Sequence, residues 1–283
     1  MKYLGRSISF SNPSGAPALT PAGGISWRVF SNPVALAIGG ITAVLLELAD
    51  PRVRHGVWDH SSFKDRPFER MSRTAKAAMI TVYAPRADAV SMIEGVTRMH
   101  ARVSGHTPGG AAYAASDPAL LTWVHATASY GFLNAYDAFD TPLTPAEKDQ
   151  FYIEAQPAAA LYGAQHAPAS QAGQVALFNA AQPGLEPSDI LQDFLALTRK
   201  ALPVPGRLAD VIIEGAIDLL PEGFAAQIGV SDHTLSARGR ATLARLARMA
   251  AATPLPGAPV TLACKRMGIK LSDVRRRGLK LEG

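Results

Sequence analysis

Four prolines, each preceded by a capping side chain, constrain this chain more than any other feature. Asn32-Pro33, Asp50-Pro51 and Asp117-Pro118 place an N-cap residue before a proline at the first helical position, where the missing N–H has no intrahelical partner to lose. Thr144-Pro145-Ala146-Glu147 adds a capping box with the same proline. Strand signals are scarce by comparison: Val211-Ile212-Ile213 is brief and runs on into helix-favouring residues. The periodicity predicts helices at roughly 33–49, 67–83, 86–104, 118–139, 145–163, 188–201, 206–220 and 235–252, with Pro157 expected to kink or split the fifth. Residues 51–63 read as a helix end and loop. His106-Thr-Pro-Gly-Gly-110 reads as a turn with no strand before it.

The expected fold is all-α: a single helical domain over 33–255, an irregular leader over 1–32 and a basic tail over 256–283. Nearly half of the 283 residues are apolar and 18% are charged, enough apolar surface for a large core. The net charge of +5 resides entirely in residues 265–283. A basic end of this kind is most simply a solvated one, and an adaptor that touches nucleic acid or a membrane surface through 275-RRR-277 is the weakest of the readings. No specific nucleic-acid partner is expected. The most apolar segment, 34-VALAIGGITAVLL-46, is about 13 residues where a span needs ~20, so no transmembrane segment is expected. The start lacks a basic stretch followed by an apolar run, and cytoplasmic localisation is the default. Cys264 is the lone cysteine, has no obvious base beside it, and reads as structural. Homo-oligomerisation stays open.

Motifs exclude several chemistries. The chain has no GxSxG elbow, no phosphate-loop signature and no GxGxxG, so hydrolase, kinase and nicotinamide-dehydrogenase readings lack support. HExxH and paired Glu-x-x-His are also absent, which weighs against a non-haem metal at His55, His60, His100 and His125. Two of these histidines nevertheless sit at the edges of apolar helical stripes. His100 flanks Met92, Val96, Met99 and Val103; His125 flanks Leu121, Val124, Ala128, Phe132 and Phe139, with Tyr136 on the same border. Each is either a hydrogen-bonded core histidine or an imidazole free to bind a metal. In 68-FERMSRTAKAAMITVY-83 the expected core face is Met71, Ala75, Ala78, Met79 and Val82. Arg70, Arg73 and Thr74 cluster elsewhere on it, either as a solvated face or as cations and a hydroxyl suited to anionic groups. Glu47 is the only charge in its apolar helix and is expected to emerge into water at the helix end.

Several segments together carry a family likeness: 44-VLLELADPRVRHGVWDHSSFKDRPFERMSRT-74, 97-TRMHARVSG-105, 113-YAASDPALLTWVHAT-127 and 142-PLTPAEKDQFYIEA-155. In their order and spacing the chain resembles the rubber oxygenase (latex-clearing protein) and mycophenolate-pathway oxygenase catalytic-domain family, among its short bacterial members, over roughly residues 30–225. The resemblance implies a globin-like helical core. In the rubber-cleaving branch it implies one haem and the use of dioxygen to split polyisoprene double bonds. That branch carries its axial histidine in a helix some distance after an Arg-x-x-Lys-Thr stretch. Here 70-RMSRT-74 matches that stretch, and the next histidine in order is His100, which the resemblance makes the proximal ligand. His125, in a segment typical of the shorter members, is the runner-up. Arg73 stands where the branch has lysine; a fixed guanidinium in place of a deprotonatable ammonium argues against a distal iron contact from this side chain.

The resulting expectation is a haem-dependent oxygenase or oxidoreductase that takes dioxygen and a small hydrophobic substrate, with isoprenoids among the candidates. Arg70, Arg73 and Thr74 would line the cofactor pocket, and His100 would hold the iron. The alternative is a non-catalytic helical protein that binds an apolar ligand without haem, with both histidines as core residues.

Overall fold

In the computed structural model every proline-led start is used. The structure describes residues 1–3, 5–253 and 255–275. Asn32 accepts from the N–H groups of Val34 and Ala35 to open α2 (Pro33–Ala49). Asp50 caps α3 (Pro51–Trp58), which leaves α2 at 111°. Asp117 caps α6 (Pro118–Phe139). Thr144 and Glu147 form the reciprocal capping box of α7 (Pro145–Tyr162). Between these lie α4 (Pro67–Tyr83) and α5 (Arg86–His100); after them come α8 (Gln171–Ala181), α9 (Asp189–Ala201), α10 (Gly206–Asp218), α11 (Phe224–Gln227) and α12 (Ala237–Ala252). The chain is all-α apart from two short hairpins, β1–β2 (Lys2–Tyr3 with Arg6–Ser7) and β3–β4 (Ser104–His106 with Ala112–Ala114). No single helix among the described residues is long and apolar enough to cross a membrane.

The heart of the molecule is the contact between α2 and α6, the most extensive between any two elements. It closes on glycine against glycine. A Cβ placed on Gly39 would lie 2.5 Å from the carbonyl oxygen of Gly131, and one on Gly131 would overlap the Gly39 carbonyl. The two backbones therefore touch, which only side-chain-free positions allow. Trp123 in α6 donates its indole N–H to the Leu46 carbonyl of α2 at 3.2 Å. On one flank α10 and α12 complete the packing. Thr42 donates to the Ala216 carbonyl of α10 at 2.9 Å, and the Asn32 amide reaches both Asp140 at 2.6 Å and the Ala247 carbonyl at 2.9 Å.

Several local expectations differ from what is found. Residues 51–63 contain α3, and helix α5 ends at His100 because the chain turns there into β3, so the glycine turn at 106–110 does follow a strand. Pro157 does not split α7; the helix is continuous to Tyr162. Helix α8 starts on a Ser170 cap without a proline. Within residues 1–32, β1–β2 and a short helix α1 (Ile25–Val29) are ordered, and Trp27 is fully buried edge-on to Tyr83 with ring centroids 5.3 Å apart. Glu154 accepts from the Ile25 and Ser26 N–H groups at the start of α1, at 3.1 and 2.7 Å.

Past residue 255 the chain forms α13 (Pro259–Met267) and α14 (Leu271–Arg275), and Arg266 is fully buried although it belongs to the basic stretch. Of the 275-RRR-277 run, Arg276 and Arg277 lie outside the described residues. Cys264 is buried, and burial pushes its thiol pKa up to about 11, which leaves it protonated and unreactive near neutral pH.

The glycine crossing is testable. Alanine in an exposed helix interior gains about 1 kcal/mol over glycine, whereas forcing a methyl into a closed backbone contact costs roughly 1–3 kcal/mol or more. Gly131→Ala is therefore expected to lower stability in urea unfolding, while Gly257→Ala, where nothing lies within 4 Å, leaves it nearly unchanged. An unchanged or raised midpoint for Gly131→Ala would show that the helices do not meet at this point.

Candidate functional site

One flank of the α2–α6 pair is left open. Helix α4 packs on α1, α5, α9, α13 and β1 and makes no extensive contact with α2 or α6. Its first thirteen residues include none that is buried; burial begins at Ile80. The expected core face of α4 is correspondingly thin: Met71, Ala78 and Met79 are half-buried and Ala75 is exposed. The same holds across the gap. On α6 the stripe Leu121, Val124, Ala128 and Phe132 is only half-buried, although α6 is a central helix. On α2, Gly40, Val44 and Glu47 form a matching half-buried stripe at helical spacing. What periodicity marks as core on these helices is in part the wall of a hollow.

The titratable groups on these helices are strongly desolvated. Glu47 is half-buried, yet burial pushes its carboxyl pKa from 4.5 up to about 7, against the opposing pull of the Arg70 guanidinium and the Thr127 hydroxyl. His125 is half-buried as well, and burial alone pushes its pKa down to about 4. A group that is partly accessible and at the same time strongly desolvated lines a cavity rather than the outer surface. Glu47 thus does not emerge into bulk water as the sequence suggested. Helix α2 ends beneath α3 and the Glu186 loop, so its last turn stays inside.

Arg70 is the charge that links the walls. Burial lowers its pKa, Glu47 raises it, and Arg73 lowers it. Its guanidinium donates to the Thr74 hydroxyl one turn on, and that hydroxyl also donates back to the Arg70 carbonyl at 3.2 Å. His100 lies within the same field: burial, then Arg70, lower its pKa. The ring lines a cleft of about 240 Å³ between the end of α5, the start of α6 and the end of α7, together with Thr97, Ser116, Leu121 and Tyr162. Of its predicted stripe Met92 is buried, Val96 half-buried and Met99 exposed, because α5 ends one residue past Met99.

Arg70, Thr74, Glu47 and His100 are therefore near neighbours, with Arg73 beside them on α4 but exposed. His125 lines the hollow from α6. Neither imidazole has a hydrogen-bond partner among the described residues, so both keep a ring nitrogen lone pair available in the neutral form that burial favours. His55 and His60 are elsewhere and are satisfied. His55 Nδ1 pairs with Asp59 at 2.9 Å and His60 Nε2 with the Tyr113 hydroxyl at 3.1 Å. No group of three or more His, Cys, Asp or Glu suited to a metal ion occurs among the described residues. Two residues at the site escaped sequence reasoning: Tyr3, whose phenol feels Arg70 and Arg73, and Tyr162, whose hydroxyl meets Thr81 at 3.2 Å. Glu47 did carry a signal, as the lone charge in an apolar helix.

The helices thus carry a cleft lined by His100, a second desolvated imidazole on α6, and a guanidinium whose field reaches a carboxyl that titrates near neutrality. The chain belongs to the family described as ER-bound oxygenase mpaB/B'/Rubber oxygenase, catalytic domain, whose model matches residues 27–252. No curated protein and no solved structure matches it.

The buried carboxyl sets a pH dependence. The folded state disfavours the Glu47 carboxylate, so its contribution is fully present below pH 4.5 and is lost as pH rises through about 7. The parent protein is expected to lose up to roughly 3 kcal/mol across that window relative to Glu47→Gln. Urea unfolding of both proteins at pH 5 and pH 8 checks this. A constant difference between them would show that Glu47 is not desolvated.

Proposed function

We propose that this chain is a haem-dependent oxygenase that acts with dioxygen on a small hydrophobic substrate, an isoprenoid being the class the family likeness favours. Family membership supports the oxygenase chemistry. The observation that carries the haem reading is a pair of desolvated imidazoles without a hydrogen-bond partner among the described residues, His100 in its cleft and His125 on α6.

In this reading His100 would hold the iron through a neutral ring nitrogen, which burial first and Arg70 second keep unprotonated. Haem, when bound, supplies the redox chemistry toward dioxygen. The remaining work belongs to the chain. Arg70 and Arg73 offer guanidinium groups to the cofactor's carboxylates, with Thr74 fixing the Arg70 head. Val44, Val124, Ala128 and Phe132 keep water from an apolar substrate. Glu47, with a pKa of about 7, can hold or release a proton at its carboxyl oxygen at physiological pH. His125 faces the hollow from α6 as a second imidazole and stands as the alternative ligand. A single buried, unreactive cysteine suits a reducing cytoplasmic setting.

Protein purified from haem-supplemented cells is expected to show a strong Soret band with near-stoichiometric iron. His100→Ala is expected to fold normally and to lose both. Haem retained with an unchanged spectrum in that variant would move the ligand to His125, and His125→Ala would then be the variant to lose it. A flat spectrum in the parent despite ample haem would overturn the haem reading in favour of a haem-free protein that binds an apolar ligand.

A further inference from the structure

The N-terminal hairpin reaches the same charges. Strands β1 and β2 pair Lys2 with Ser7 and Tyr3 with Arg6, and β1 packs on α4. Lys2, Gly5, Arg6 and Ser7 are exposed, whereas Tyr3 is 7% exposed, so one ring seats the hairpin. The other side is tied to α5, where the Arg6 guanidinium donates to the Ser91 hydroxyl. The hairpin therefore straddles the two helices that carry Arg70 and His100.

The ring of Tyr3 is covered, but its hydroxyl is not. That hydroxyl has no hydrogen-bond partner among the described residues, and it is not among the atoms sealed from solvent. Arg70 and Arg73 are both close enough to the phenol to oppose the upward push of burial on its pKa. Neither guanidinium forms an ion pair within 4.0 Å among the described residues: the Arg70 head rests on the neutral Thr74 hydroxyl, and the Glu47 carboxyl acts on it only from farther away. Where β1 packs on α4, two cations and a free O–H donor thus lie in one neighbourhood with no carboxylate paired to either cation among the described residues. A carboxylate supplies the complementary chemistry, since it accepts from guanidinium and phenol at once and both bonds are charge-assisted.

We propose that Tyr3, Arg70 and Arg73 form a carboxylate-binding site at the rim of the hollow. The apolar body of the bound ligand lies along the half-buried stripes of α2 and α6. Tyr3 is then a ligand-binding residue, and the hairpin is part of the pocket. The carboxylate belongs either to the cofactor or to an apolar acid; for the first source the inference rests on the haem reading above, and the probes below separate the two.

Tyr3→Phe keeps the ring and removes one oxygen, so its melting temperature should match the parent's. The parent and Tyr3→Phe are loaded with haemin or with haemin dimethyl ester, and haem loss to excess apomyoglobin is timed. Haemin is expected to leave the variant about tenfold faster, as the loss of one charge-assisted hydrogen bond predicts, while the ester leaves both proteins at equal rates. Arg73→Ala, an exposed position, should repeat that ester-specific pattern.

Calorimetry with oleate and methyl oleate is run alongside. A preference of the parent for oleate that Tyr3→Phe erases would support the site with an acid as its ligand, even if haem failed to bind and the haem reading fell. Equal haemin loss from parent and variant, together with no preference for oleate over its ester, would overturn the proposal. So would failure to bind either probe.

Discussion

The contact of Gly39 with Gly131 sets the geometry on which the remaining structure depends. Two helices that meet backbone to backbone lie closer than side chains would allow, and the pair behaves as one rigid slab. On one flank α10 and α12 follow the slab closely: Gly215 leaves room for Leu243 and Phe139, and Thr42 spends its hydroxyl on the Ala216 carbonyl. On the other flank α4 packs on α1, α5, α9 and α13 and makes no extensive contact with α2 or α6. Helices α1 and α9 bridge the two groups, α1 touching both α4 and α6 and α9 both α4 and α2, so α4 is joined to the slab through intermediaries rather than by extensive direct packing. Glu47 and Arg70 then face each other across a space that neither backbone closes.

That placement governs the electrostatics. Arg70 and Glu47 attract across the gap, but at a separation that leaves burial as the larger influence on both. A carboxylate and a guanidinium in contact would have been driven apart in pKa, each deeper into its charged form. Here the carboxyl is instead left near neutrality and the guanidinium is left short of an anion. A closed ion pair would be stable and inert; an open one keeps a titratable proton and an unsatisfied cation in the same hollow. The histidines belong to this pattern: burial favours the neutral ring in both, and at His100 the Arg70 cation adds to it.

Local signals in the sequence were legible and long-range ones were not. The starts at Pro33, Pro118 and Pro145 follow from a cap and a ring within two residues, and the observed helices begin there. Helix α8 has only Ser170 to announce it and presents mostly small or polar residues, so no periodic stripe marks it. The stripe of α6 was visible as apolar, but periodicity states what a face is made of and not what covers it. A pocket wall and a core wall look alike in sequence, which is why Val124 and Phe132 read as core. Cations at 70 and 73 and histidines at 100 and 125 were visible as residue types. That Arg70 falls within the field of Glu47 depends on where α4 lies relative to α2. Tyr3 carried no signal, because its place in the site is set by the path of the leader.

That path is fixed from the far end of the chain. Arg266 in α13 is fully buried and meets no carboxylate; it donates to the carbonyls of Ala16, Phe10 and Tyr83 at 2.8, 2.6 and 2.8 Å. A buried cation satisfied only by backbone oxygens is held by geometry, since each carbonyl supplies a partial charge and all three must be in place. Two of those carbonyls belong to the leader that follows the Tyr3 hairpin, and the third ends α4, which carries Arg70. One guanidinium thus sets the leader against the helix that carries Arg70 and on which β1 packs. It lies outside the 27–252 span that defines the family. The pocket of this chain is accordingly built from the family's helical core together with segments from both ends, and the floor and the rim of the site have separate structural origins.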